Sequence, residues 1–259
     1  MLSKNRIKQI QSLKLKKFRD AGQRFIAEGH KLVLDIFKSN LFIESIFATA
    51  NWLYENQKTL HHLKVEMVEI SEKELHAISS LTTPNQVLAV IKIPQRKFNN
   101  NIFKEDFVLM LDEIKDPGNM GTIIRTADWF GIKNIICSHN CVEVYNPKVV
   151  QATMGSIARV QIYYEDLTDV LSNLHPSINV FGTFLEGTPL KKICFEKNGV
   201  IIIGNESKGI SSAIEKFIKE KIYINPFYCE NGFSPGPESL NASIAAGIIL
   251  FVAKNFCSK

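Results

Sequence analysis

Three short stretches of the chain carry residues whose types and spacing could act on an acceptor-rich ligand. In the first, Asp116-Pro117-Gly118-Asn119 has the composition of a tight turn, Gly121 leaves the backbone bare, and Arg125 follows among Ile123, Ile124 and Ala127. An arginine carried on a mostly apolar helix is a fixed fork for a phosphate or carboxylate. The alternative is an Arg125–Asp128 ion pair on an exposed helix face. In the second stretch, Gly204-Asn205-Glu206-Ser207-Lys208-Gly209, two glycines bracket a carboxylate, so the backbone can press on a ligand while Glu206 reaches toward it. A plain turn has the same composition, and a lone glycine-rich loop is a weak signal. The third stretch, Ser239-Leu240-Asn241, opens an apolar run and is expected in the first turn of a helix over 238–256. Free backbone N–H groups and a partial positive end suit that turn to an acceptor-rich ligand. Ser239 as a mere helix cap is the competing reading.

These residues need elements to position them, and the periodicity supplies an alternating series. Val200-Ile201-Ile202-Ile203 stops at Gly204, as a buried strand emptying into a tight loop would; open α/β sheets place ligand sites at such strand ends. Strands are expected over 107–111, 134–137, 160–163, 179–184, 199–203 and 221–224. Helices are expected over 119–130, 148–157, 166–174 and 212–220, with Gly131 and Asn146-Pro147 as cap signals and Ser212 with Glu215 as a capping box. Strands separated by helices over such a span imply a mostly parallel sheet covered on both faces. The final apolar run, 244–253, reads as a helix buried nearly all round.

Upstream, a helix over 7–19, strands over 24–29, 44–49, 65–70 and 86–93, and helices over 30–39 and 51–60 describe a smaller α/β unit. Asn51 reads as the cap of the second of those helices, and Ser71 with Glu74 as a capping box. Strand propensity collapses over 94–104, around Asn99-Asn100-Asn101, so the boundary is placed there: a first domain 1–98, a linker 99–106 and a second domain 107–259.

The composition, 45% hydrophobic and 22% charged with a net charge of +5, allows a nucleic-acid partner without requiring one. Lys4, Arg6, Lys8, Lys14, Lys16, Lys17 and Arg19 face a single acid, Asp20, in the first twenty residues, so phosphate contact and a solvated helix face both fit. The longest apolar run is about half what a bilayer needs, and residues 1–10 hold no apolar signal region, so no membrane is expected. Five cysteines at irregular spacing suit reduced thiols and a cytoplasmic location. Cys137 and Cys141 have no second pair at zinc spacing, so no metal is expected.

Taken in order, the three stretches resemble the three signature motifs of the SpoU/TrmH-type RNA ribose 2'-O-methyltransferases, of the knotted SPOUT class. The resemblance spans roughly 107–256. It implies a deep trefoil knot, a homodimer whose active site uses both subunits, and transfer of a methyl group from S-adenosylmethionine to a ribose of ribosomal or transfer RNA. By the same resemblance Asn119, Arg125, Glu206, Ser239 and Asn241 form the catalytic set. The cofactor would lie against Thr183, Phe184, Gly204 and Asn205, and against Gly209, Ile224, Leu240 and Ser243. Phe25-Ile26-Ala27-Glu28-Gly29 followed by a helix resembles the L30e-type substrate-binding domain that precedes many of these enzymes. The stretch 227–237 is longer and richer in Gly and Pro than its counterpart in the family, and is expected to border the cofactor. Three other readings compete: base methylation by the related knotted class, an RNA-binding assembly factor without turnover, and a nucleotide-dependent oxidoreductase. The last lacks Gly-x-Gly-x-x-Gly after a first strand.

Overall fold

The computed structural model describes residues 1–61, 65–226 and 238–255. The chain divides into two compact units: Met1–Gln95 with Glu143–Arg159, and Arg96–Val142 with Val160–Lys259.

In the first unit, helices α1 (Lys4–Ser12) and α2 (Lys16–Gly22) replace the single helix expected over 7–19. The chain leaves the helical region at Leu15 (φ −101°, ψ 131°), which serves as the cap of α2, so the two helices form an angled pair. Then follow β1 (Arg24–Glu28), α3 (His30–Phe37), β2 (Ile43–Ala48), α4 (Ala50–Leu60), β3 (Glu66–Glu69), α5 (Glu72–Ile78) and β4 (Val87–Lys92). The sheet order is β1-β4-β2-β3, with β4 antiparallel to both neighbours and β3 parallel to β2. Ile26, Phe47, Leu88 and Val90 from the sheet meet Ile10 and Leu13 of the α1 region in one core. Thr49, not Asn51, caps α4, its hydroxyl accepting from the Trp52 N–H.

Ser71 and Glu74 form the expected capping box on α5, and Glu74 also accepts from the Leu2 N–H at 2.6 Å. Backbone donation from Ser71 and then Leu2 holds the Glu74 carboxyl at about 2, against an ordinary 4.5. A depressed carboxyl stabilises the fold above its unfolded value and loses that contribution as pH falls toward the folded one. Glu74→Gln should therefore lower the thermal midpoint near neutral pH, and wild type and variant should converge near pH 2. A gap that persists unchanged in acid would contradict this cause.

In the second unit the stretch expected to be a linker has structure of its own. Asn99 caps a short 3₁₀ turn over Asn100–Lys104, and Phe103 is 2% exposed in the core, with Phe98 and Ile102 against the same cluster. The asparagines lower strand propensity, but the aromatics around them have a core to enter. Next come β5 (Phe107–Leu111), α6 (Pro117–Trp129) and β6 (Asn134–Cys137).

Helix α7 (Pro147–Ala152) belongs to the first unit, whereas the sequence reading places residues 143–159 in the second domain, 107–259. It packs on β1, the Phe25 and Tyr145 rings are 4.7 Å apart, and the buried Arg19 side chain pairs with Glu143. Left-handed Met154 (φ 49°) and Gly155 (φ 99°) end the helix short of the expected 157.

The chain then runs through β7 (Gln161–Tyr164), α8 (Leu167–Ser172), β8 (Val180–Phe184), the two-residue β9 (Thr188–Pro189), β10 (Gly199–Ile203), α9 (Ser212–Glu215), β11 (Glu220–Tyr223) and α10 (Ala242–Asn255). Ser211 rather than Ser212 stands at the cap of α9, so the expected capping box there does not form.

The second sheet has seven strands in the order β7-β6-β5-β10-β8-β11-β9, parallel throughout. Every residue of β5 and β10 is buried, as in a sheet covered on both faces. Chain order runs outward from β5 to β7 on one side, and the remaining strands lie on the other. The order therefore reverses between β5 and β10, and at such a reversal the loops leaving the strands' carboxyl ends diverge and open a crevice.

Helix α10 lies along α6. Asn241 meets Asn119, Gly247 faces Thr126 and the Phe251 ring faces Phe130, so the two helices run in the same direction. Contrary to burial nearly all round, α10 keeps Ile244 (53% exposed), Ile248 and Phe251 on an outer stripe. No helix among the described residues is long and apolar enough to cross a membrane.

Candidate active site

At the β5–β10 reversal the loops after both strands are tied together. Asp112 is 3% exposed, and its Oδ2 accepts from the Ser211 N–H at 2.8 Å. Glu113 has a left-handed backbone (φ 55°), a conformation costing a non-glycine residue about 1–2 kcal/mol. Surrounding bonds hold it there: its N–H donates to Ser138 Oγ at 2.9 Å, and its carbonyl accepts from Asn205 Nδ2 at 2.9 Å. Its carboxylate accepts from Asn140 Nδ2 at 3.0 Å and lies 3.3 Å from the Lys115 ammonium. The Asn140 bond, then Lys115, keeps the Glu113 carboxyl below its usual range.

Across the crevice, Asn205 and Gly209 exchange backbone hydrogen bonds of 3.0 and 2.9 Å, closing the glycine-rich loop on itself. Asn205 Oδ1 accepts from the Ser207 and Lys208 N–H groups, both at 3.0 Å. Gly204 is required by this closure: a Cβ there would stand 2.4 Å from the Gly209 carbonyl carbon, against rigid backbone. Gly209 takes the left-handed turn (φ 69°) with open space above it.

Asn119 joins the three stretches. Asp116 caps α6, accepting from the Asn119 N–H at 2.8 Å, with Pro117 at the first helical position. The Asn119 side chain donates through Nδ2 to Glu206 Oε1 and accepts at Oδ1 from Asn241 Nδ2 at 2.8 Å. Residues from α6, the loop after β10 and the start of α10 thus form one hydrogen-bonded chain.

Asn241 is also the cap of α10, its Oδ1 accepting from the Ser243 N–H at 2.9 Å and the Ser243 hydroxyl at 2.6 Å. Ser239 and Leu240 precede the helix and are exposed, so neither lies in its first turn as expected, and the cap role weighed for Ser239 falls to Asn241. An asparagine directly before an apolar run was the available signal.

Arg125 is exposed and, among the described residues, has no hydrogen-bond or ion-pair partner, so the Arg125–Asp128 pair does not form. It shares the outer face of α6 with Trp129, one turn on and 85% exposed. Thr183 and Phe184 end β8, Gly204 follows β10, and Ile224 follows β11. These strands are neighbours and parallel, so all four residues gather on one edge of the sheet. The stretch 227–237 lies outside the described residues.

Asp112, Glu113, Ser138 and Asn140 are contributors that sequence reasoning missed. Two acids directly after a fully apolar strand, Leu111-Asp112-Glu113, were the one local signal. Cys137 and Cys141 are free buried thiols, and Cys141 donates to the Leu111 carbonyl at 3.2 Å. No group of three or more His, Cys, Asp or Glu that could hold a metal ion occurs among the described residues.

Comparison with known proteins shows the family. The SpoU rRNA Methylase family matches residues 106–251, more than half of the chain. The chain belongs to that family. Ahead of the SpoU region, an MRM3-like substrate binding domain matches residues 4–89. The SpoU-family chain is 27% identical to the Bacillus subtilis protein named 23S rRNA (guanosine(2553)-2'-O)-methyltransferase RlmP, over 95% of this chain and 94% of that one. It superposes on the structure of a TrmH-family protein from Porphyromonas gingivalis with a TM-score of 0.85 and 33% identity, covering 98% of both chains. An AdoMet-bound rRNA methyltransferase from Sinorhizobium meliloti gives a TM-score of 0.83 and 28% identity, over 98% of this chain and 96% of that one.

Proposed function

We propose that this chain transfers a methyl group from S-adenosylmethionine to a ribose 2'-hydroxyl in ribosomal or transfer RNA. The observation that carries the reading is the Glu206–Asn119–Asn241 chain of hydrogen bonds at the sheet reversal; further along the same helix as Asn119, Arg125 is exposed with no partner among the described residues. The edge residues fit an adenosyl group. Loops leave β8, β10 and β11 side by side, Gly209 has open space above it, and Leu185 (64% exposed) and Leu240 (46%) offer apolar surface.

When bound, the cofactor supplies an electrophilic methyl carbon on a positively charged sulfur. With such a group in place, Asn119 and Arg125 would hold the ribose hydroxyl toward the methyl carbon; the hydroxyl oxygen would take the methyl as sulfur gave it up, and its proton would pass to a neighbouring phosphate or to solvent. The chain's own task is alignment, the larger effect available to such a site. Asn119 is immobilised by Asp116, Glu206 and Asn241, and one of its two Nδ2 hydrogens remains for substrate. Arg125 grips the RNA phosphate or ribose through its fork; a guanidinium does not give up its proton near neutral pH, so it is no base. Calorimetry of the full chain with S-adenosylmethionine and with its demethylated product should record binding of both. No heat with either ligand would overturn the reading.

Arg125, without a partner among the described residues, also supports a site shared between two copies. Ile244, Ile248 and Phe251 on α10, with Leu240 and Trp129 beside them, form an apolar surface that we assign to a second copy of the chain. Light scattering should give a mass near twice that of one chain, and a monomer at all concentrations would contradict it. Two further features belong to the same reading. One is a trefoil knot: β10 inserts between β5 and β8, β11 lies beyond β8, and α10 returns to α6. The other is an L30e-like first domain, supported by its mixed sheet and helices, which binds the RNA substrate.

A further inference from the structure

A cavity of about 530 Å³ lies in the first unit, where the angle between α1 and α2 opens over the sheet. Its floor is apolar, from Ile10, Leu13 and Val90, and its walls carry Arg6, Arg24 and Glu44. Sites of this size with an apolar body and a few convergent polar groups are typical of ligand pockets.

The backbone is irregular at this cavity. The register of β2 against β4 shifts between Ile43 and Ser45, leaving Glu44 as the extra residue of a β-bulge. On a regular strand, successive side chains face opposite sides. Here Glu44 and Ser45 both line the cavity, and a bulge is the known means of re-aiming a side chain.

The two arginines are held but not used up. Arg6 donates through Nη2 to Glu66 at 2.8 Å and to Ser45 at 3.4 Å, with its guanidinium 5.3 Å from the Phe47 ring centre. Its Nε and Nη1 have no partner among the described residues. Arg24 reaches across β4 to Glu44 at 2.6 Å and donates through Nη1 to the Gly22 carbonyl at 3.3 Å, leaving Nη2. At the mouth, Phe18 is 43% exposed, with the Lys17 ammonium 6.0 Å from its ring centre. Exposed Gln9 lines the same cavity.

These details also narrow what the basic start of the chain can do. Lys14 donates to the Ser79 carbonyl, Lys16 pairs with Asp20, and Arg19 is buried against Glu143, so none of these is a free phosphate contact. Arg6 and Arg24, with their unused donors, line the cavity instead, and Lys17 stands against the Phe18 ring at its mouth.

We infer that this cavity receives one unstacked nucleotide of the RNA substrate. The base stacks on Phe18 over the apolar floor, Gln9 and the second carboxylate oxygen of Glu44 meet its edge, and Arg6, Arg24 and Lys17 take the flanking phosphates. An aromatic face beside guanidinium groups is how proteins hold splayed single-stranded bases. The inference rests on the methyl-transfer reading only for the identity of the RNA.

The test uses the full chain and total RNA substituted with 4-thiouridine and stripped of protein. After irradiation and digestion, nucleotide adducts are mapped by mass spectrometry, with and without excess free nucleoside monophosphates. Adducts within residues 6–24 that free nucleotides do not displace are expected. Phe18→Ala, at a half-exposed site, should keep the thermal midpoint, weaken RNA binding about tenfold and raise KM for RNA while leaving kcat unchanged. Gln9→Ala should act in the same direction. Adducts only elsewhere, no adducts at all, adducts displaced by free nucleotides, or unchanged RNA binding in Phe18→Ala would each overturn the subsite. A wild type that methylates RNA without these adducts loses the subsite alone. A wild type that forms them but transfers no methyl group keeps the subsite and loses the proposed reaction.

Discussion

Replacing Arg125 by alanine is expected to slow methyl transfer into RNA at least ~100-fold, a few kcal/mol of lost transition-state stabilisation. The fold and the cofactor affinity should survive, because Ile123, Ile124 and Ala127 bury α6 while the guanidinium stays in solvent. Arg125→Lys should not restore the rate, since a point charge cannot reproduce a planar fork. The readout is transfer of tritiated methyl from labelled cofactor, with circular dichroism and calorimetry as controls. Near-normal transfer by the alanine variant would remove Arg125 from the site. Equal inactivity of wild type and variant on every RNA tried would favour an RNA-binding assembly factor that keeps the fold.

The second large effect is on stability rather than on the rate of transfer. Glu143→Ala should destabilise the protein by about 3 kcal/mol, because breaking a buried pair leaves an uncompensated charge. Arg19, with its side chain 3% exposed, donates through Nε and Nη2 to Glu143 and through Nη1 to the Leu13 and Lys14 carbonyls at 2.9 Å. Those carbonyls remain in the variant, so the loss should fall at the low end of the range for buried pairs. Replacing both partners by apolar residues should cost less than removing Glu143 alone. Urea denaturation reads both; a change within ~0.5 kcal/mol for Glu143→Ala, the size of an ordinary surface substitution, would contradict the burial argument.

Much of the second unit is legible in the sequence, because its signals are strong and local. The apolar runs of β5 and β10 read as buried strands and are so; Asp116-Pro117, which reads as part of a tight turn ahead of a helix from 119, is instead the cap and first residue of α6. The misreadings occur where tertiary contacts decide. Asn99-Asn100-Asn101 reads as a linker, yet Phe98 and Phe103 anchor it to a core that only the folded sheet creates. Residues 143–159 continue the strand–helix alternation in sequence, and tertiary contacts assign them to the first unit, among them the Arg19–Glu143 pair, the Phe25–Tyr145 contact and the packing of α7 on β1.

The site follows the same division. Asn119, Glu206 and Asn241 sit in three separate stretches, each weak alone, and the bonds joining them depend on β10 lying beside β5, which no local pattern encodes. The outer stripe of α10 is invisible for a related reason: Ile244 and Ile248 read as core, and hydropathy does not distinguish a core from a surface awaiting a partner.

The most direct test of the central claim is a transcriptome-wide map of ribose 2'-O-methylation in cells with and without this protein, read by resistance of the flanking phosphodiester to alkaline cleavage. The account predicts that at least one ribose in ribosomal or transfer RNA loses its methyl group when the protein is absent. Purified wild-type protein with S-adenosylmethionine should restore it, and Arg125→Ala should not. An unchanged map, or a methyl group that proves to be on a base, would contradict the account.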